Sequence, residues 1–97
     1  QQIFDYGKIN KGINIKSRCN GDIFYPYHSP GSKKLKEFFI DEKIPRDKRE
    51  NIPLLAVDNN IIWVMGFRTS EKYRVDHSTR VILFVRVTPV QHEPIRR

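Results

Sequence analysis

The side chains of this 97-residue chain best suited to chemistry are two short clusters of cations. Lys33, Lys34 and Lys36 follow Gly31 and Ser32 at what reads as a helix start. The backbone N–H groups and positive dipole end of such a start, with lysines beside them, suit a phosphate held for positioning. The segment lacks the first glycine and the spacing of a Walker A loop, so phosphate transfer is not indicated. The other reading is an ordinary helix start whose lysines face water. Arg46 and Arg49 form the second cluster and share a face if their segment is helical. Planar guanidinium groups suit phosphate oxygens and guanine edges. The interleaved Asp47 and Glu50 point instead to a salt-bridged surface turn.

No catalytic set accompanies these cations. His28, His77 and His92 show no metal-ligand spacing with one another or with Cys19. Asp41 and Glu42 are helix neighbours that point in different directions, so they do not make an acid/base pair. No Ser/His/Asp set can be placed together from the sequence. Cys19 is the single cysteine, which rules out an intrachain disulfide and is compatible with a reducing compartment. It reads as a small, semi-buried hydrophobe. Trp63 lies mid-strand, either as core or as a base-stacking surface.

The formal net charge is +7, which predicts attraction to polyanions, nucleic acid first and anionic membrane second. The charge is spread along the chain, with nets of +2, +2 and +3 over residues 1–31, 32–50 and 51–97. Any basic patch must therefore be made by folding. The longest apolar runs, 61–65 and 81–85, are strand-sized and too short to cross a bilayer. No signal-peptide pattern is visible, and the start at Gln1 without an initiator Met hints at a piece of something longer. A chain this short is one domain at most, burying about 60% of its unfolded surface. That supports a compact binding module and leaves little room for a deep catalytic cleft.

The elements that must position the cations follow from periodicity. Residues 3–6 read as a short strand ended by Gly7. Ile13 and Ile15 alternate with polar neighbours, Asn20-Gly21 is a turn dipeptide, and Phe24-Tyr25 follow, so residues 12–26 read as a hairpin. Over residues 33–43 the spacing becomes helical, with Leu35, Phe38 and Phe39 on one stripe and Ser32 placed to cap. Lys33, Lys36 and Lys43 then share a flank, with Lys34 on the other side near Asp41. Pro45 stops the helix. Residues 46–51 suit a second helical turn. Residues 54–57 and 61–65 flank Asp58-Asn59-Asn60 and predict a hairpin. Residues 69–72 suit one helical turn, and 81–87 a last strand. Residues 88–97 carry two prolines without periodicity and read as a disordered tail. The whole is α+β and β-rich, with one main helix near 32–43.

The run Gly21-Asp22-Ile23-Phe24, Pro26, then 31–46 closely resembles the C-terminal domain of tRNA(Ile)-lysidine synthetases. The resemblance continues through Arg49, Pro53-Leu54-Leu55, Ile62-Trp63-Val64, Gly66-Phe67-Arg68 and Ser70-Glu71-Lys72-Tyr73. It covers about residues 12–87 and implies that residues 1–87 are the tRNA-binding domain. The implied fold is a layered, β-rich one, similar to a domain of the phenylalanyl-tRNA synthetase β subunit. The implied parent is a cytoplasmic ligase that uses ATP, with Mg, to join lysine to the wobble cytidine of tRNA(Ile). That chemistry belongs to an N-terminal catalytic domain with a Ser-Gly-Gly-x-Asp-Ser loop, which is absent here, so this fragment is expected to be non-catalytic and without a cofactor of its own. The implied role is a grip on the tRNA acceptor stem. The implied RNA contacts are Lys33, Lys34, Lys36, Arg46, Arg49, Arg68 and Lys72, with Leu35, Phe38, Phe39, Leu54, Leu55 and Trp63 as core. Gly31 and Gly66 are implied to be backbone positions that tolerate no side chain. Where an apolar residue is often expected between Arg46 and Arg49, Asp47 and Lys48 stand. Expected partners are tRNA(Ile) and the N-terminal domain, with a homodimer as a further option and no membrane. The competing reading is a docking or dimerisation module without RNA contact, which an exposed apolar face on the 61–65 strand would favour.

Overall fold

The computed structural model describes residues 1–10, 12–26 and 31–88. The centre is the hairpin that the sequence predicts, β5 (Leu54–Val57) with β6 (Asn60–Val64), joined through Asp58 and Asn59. Asp58 takes the left-handed backbone (φ 52°) that the tight connection requires. Both strands are buried along nearly their whole length, because protein covers both faces of the sheet. A register shift between Leu55 and Ala56 bulges β6, and Ile62 and Trp63 both pack on the same side.

Around this hairpin the strand order is β2-β5-β6-β3-β4, where β2 is Asn14–Lys16, β3 is Ile23–Phe24 and β4 is Lys33–Lys34; β7 (Arg68–Thr69) also pairs with β6. The expected 12–26 hairpin is therefore corrected. The turn at Asn20-Gly21 forms, but β2 pairs with β5 and β3 pairs with β6 and β4. The apolar β5–β6 hairpin comes between the two short strands and supplies each with a better-buried partner.

Helix α2 (Leu35–Asp41) covers one face of the sheet. Its stripe of Leu35, Phe38 and Phe39 is buried against Phe24, Leu54, Ala56, Ile61 and Val64, as the periodicity predicts. Its start differs from expectation. Lys33 and Lys34 are extended and pair with Phe24 and Ile23, so Lys34 rather than Ser32 is the N-cap, and no side chain caps the helix. The helix ends before Pro45, where Lys43 turns left-handed (φ 57°) and the Ile44 amide donates to the Phe39 carbonyl. The expected second helical turn forms as a 3₁₀ helix over Arg46–Asn51.

The opposite face packs on a two-stranded antiparallel ribbon of β1 (Gln2–Asp5) and β8 (Ile82–Val85). Phe4, Leu83 and Val85 point inward onto Leu55, Val57, Ile62, Trp63 and Met65. Where Gly7 was expected to end the first strand, a one-turn helix α1 (Tyr6–Ile9) follows it, and Ile9 joins this core. Asp5 caps α1 and accepts from the Thr79 hydroxyl, while Lys8 pairs with Asp76 at 2.9 Å. These contacts tie the ribbon to the loop after the 3₁₀ turn Glu71–Tyr73, which Ser70 caps. The last strand stops at Val85. Apart from Thr88, the expected tail lies outside the described residues.

Candidate nucleic-acid interface

The turn at Asn20-Gly21 and the junction of β4 with α2 face each other across a groove of about 260 Å³. Arg18, Lys34 and Lys36 bring three cations to it against Glu50. Its remaining acid, Asp22, is buried and already neutralised. Asp22 Oδ1 accepts from Lys16 Nζ at 2.6 Å and Oδ2 from the Cys19 amide at 2.8 Å. The Leu35 amide donates to the Asp22 carbonyl, which fixes the helix start against the turn. Arg18 pairs with Glu50 through Nε at 2.6 Å, which holds the guanidinium over the groove. Lys34 and Lys36 are exposed and make no ion pair with any described residue. The groove thus carries a positive surplus and can hold a phosphate between flexible ammonium groups and a planar guanidinium.

The other expected contacts are not among the residues that line this groove. Lys33 is drawn back along α2 into an ion pair with Asp41, and that hydrogen bond raises its pKa above the ordinary lysine value. Arg68 is exposed, with Nε 3.7 Å from Glu42 at the C-terminal end of α2. Lys72 places its ammonium 5.2 Å from the Tyr25 ring and 5.6 Å from the Tyr73 ring, a cation–π setting that orients it. Arg46 opens the first 3₁₀ helix, exposed and without an ion pair to a described residue. Arg49 departs from the set. It is only 9% exposed, its Nε donates to the Ile44 carbonyl at 3.0 Å, and its guanidinium lies over Phe39. Its place is that of a strut between α2 and the 3₁₀ helix.

The sequence reading missed Arg18, an isolated cation in a loop that only the fold brings beside Lys34 and Lys36. Trp63 is core, packed near Phe4, and offers no stacking face. Gly31 and Gly66 both have positive φ, at 88° and 86°, yet a side chain at either would meet open space. Backbone conformation, not crowding, makes them glycine positions. Among the described residues no group of His, Cys, Asp and Glu could hold a metal ion, and no helix is long and apolar enough to cross a membrane.

Fold and surface together define a class: a small basic α+β module. A family model for the TilS substrate C-terminal domain matches residues 13–84. A tRNA(Ile)-lysidine synthase of Caldanaerobacter subterraneus subsp. tengcongensis is 53% identical over 87 residues, covering 90% of this chain and 19% of that protein. The synthase of Clostridium acetobutylicum is 42% identical over 84 residues, covering 87% of this chain and 18% of that one. A crystal structure of a TILS C-terminal domain superposes with a TM-score of 0.66 at 30% identity, over 82% of this chain and 62% of that one. The chain belongs to the TilS substrate C-terminal domain family. It spans about a fifth of the length of the curated relatives it matches.

Proposed function

We propose that this domain grips the acceptor stem of tRNA(Ile) on behalf of a ligase that uses ATP to attach lysine to the wobble cytidine. ATP, Mg and lysine are handled by the N-terminal catalytic domain of the parent, and this domain positions the RNA. The observation that carries the reading is the groove in which Arg18, Lys34 and Lys36 outnumber Glu50, with Asp22 cancelled by Lys16. Duplex RNA is recognised largely through shape, phosphates and 2′-hydroxyls, which a few dispersed cations on a rigid frame can contact. Arg46, Arg68 and Lys72 add exposed cations outside the groove, with Lys33 as a charge shared with Asp41.

The test is tRNA binding by the Lys34→Ala/Lys36→Ala variant across a salt series. Binding weakens, and the slope of log affinity against log salt falls in magnitude by about 1.5 to 2 for two lost phosphate contacts. Equal affinity of variant and parent at low salt overturns the assignment. An exposed apolar face on the 61–65 strand would have favoured the competing reading of a docking or dimerisation module. Those side chains are buried, so that support is withdrawn.

A further inference from the structure

In the ribbon of β1 and β8, strand β8 is apolar on both sides. The ribbon's inner side chains complete the core, yet on the outer side Ile3 is 47% exposed, Ile82 53% and Phe84 53%. Ile3 and Phe84 are direct cross-strand partners, so the three form one continuous apolar surface. An antiparallel ribbon that faces water alternates apolar with polar residues, whereas strands covered on both faces read as unbroken apolar runs. Residues 81–85 are Val-Ile-Leu-Phe-Val, the second pattern.

We infer that this outer face is where the rest of a synthase-length polypeptide docks against the domain. Three observations select that occupant. The curated relatives are about five times longer than the part matched, and the family is defined as a C-terminal domain, so in such a polypeptide the remaining body precedes β1. β1 is itself the strand that carries Ile3, so a body arriving through it reaches the face without a long tether. The face is mainly aliphatic, and its one exposed ring among the residues named, Phe84, already has the Arg86 guanidinium lying over it. The flanking Arg86, whose guanidinium lies over the Phe84 ring, adds a cation at its rim for an acidic residue of the docked body. The inference rests on family membership and is independent of the RNA-binding reading.

The experiment is maleimide labelling of the full-length synthase containing this domain, without RNA, followed by peptide mass analysis. Phe84→Cys and, separately, Ile82→Cys are the probes, and the exposed native Cys19 is the internal reference. Both substituted side chains point outward, so each variant keeps the core intact, and Ile82→Cys serves if Phe84→Cys misfolds. The expected result is labelling at least ten-fold slower than at Cys19 in the folded protein, independent of protein concentration, with equal rates in denaturant. Equal rates in the folded protein overturn the inference. Protection that disappears on dilution assigns the face to a second copy, and protection that appears only with tRNA, scored against the tRNA-free rate of the same introduced cysteine, assigns it to RNA. Either of these also overturns it.

Discussion

Arg49 lies with its guanidinium 5.9 Å from the centroid of the Phe39 ring, so a cation of the first 3₁₀ helix is packed on an aromatic of α2. Its Nε donates to the Ile44 carbonyl in the loop between them. A hydrogen bond from a charged donor is worth about 1.5–3 kcal/mol and a cation–π contact about 0.5–1 kcal/mol. Arg49→Ala is therefore expected to lower stability by about 2–3 kcal/mol in urea denaturation. Arg46→Ala, at an exposed position on the same 3₁₀ helix, should change stability by no more than about 0.5 kcal/mol while weakening tRNA binding. An Arg49→Ala protein of unchanged stability and reduced affinity would reverse these roles.

The groove depends on Asp22, which is 2% exposed and has both carboxylate oxygens occupied. Asp22→Ala removes the acceptor for the Cys19 amide and leaves the Lys16 ammonium, largely covered, without its partner. Breaking a fully buried pair costs about 3–5 kcal/mol, and the partial exposure of Lys16 reduces this to about 2–3 kcal/mol. Asp22→Asn keeps an acceptor for the amide and should lose less. Paired denaturation curves measure both, and an Asp22→Asn variant as stable as the parent would show that the charge pair contributes nothing.

Asp76 is held well below the usual carboxylate range, first by the Ser78 hydroxyl, then by Lys8 and the Ser78 amide. A carboxyl whose folded pKa is depressed contributes stability above its unfolded value of about 3.9, and that contribution is lost as pH falls through the folded value. The stability difference between the parent and Asp76→Asn should be constant above about pH 5 and shrink steadily below about pH 4. A difference independent of pH from 6 down to 2.5 in thermal melts would remove Asp76 as a source of acid sensitivity.

Much of this was readable along the chain where partners are close in sequence. The β5–β6 hairpin has its turn residues between its two apolar runs, and the Leu35, Phe38 and Phe39 stripe records its own buried face. The failures share a cause. Lys33 and Lys34 have helical neighbours but are held extended by Ile23 and Phe24, about ten residues away. The Asn20-Gly21 turn is real, yet β2 and β3 on either side of it bond to strands from residues 54–64. The same limit applied to the candidate interface. Lys34, Lys36, Arg46, Arg68 and Lys72 are exposed, but Arg18 gains its position only from the folded turn, and the burial of Arg49 depends on Phe39 and Ile44 packing around it.

The register of the ribbon has a mechanical consequence. Gln2 pairs with Val85 and Asp5 with Ile82, so the outer ends of β1 and β8 leave the domain side by side. A pull applied at those two ends loads the cross-strand bonds one at a time, starting at Gln2 and Val85, as a zipper opens. The central sheet, whose hydrogen bonds join residues 14–69, carries none of that load until the ribbon has parted. The strands that close the chain on itself are also the ones through which tension would first unravel it, and any body seated across their outer face would act as a clasp.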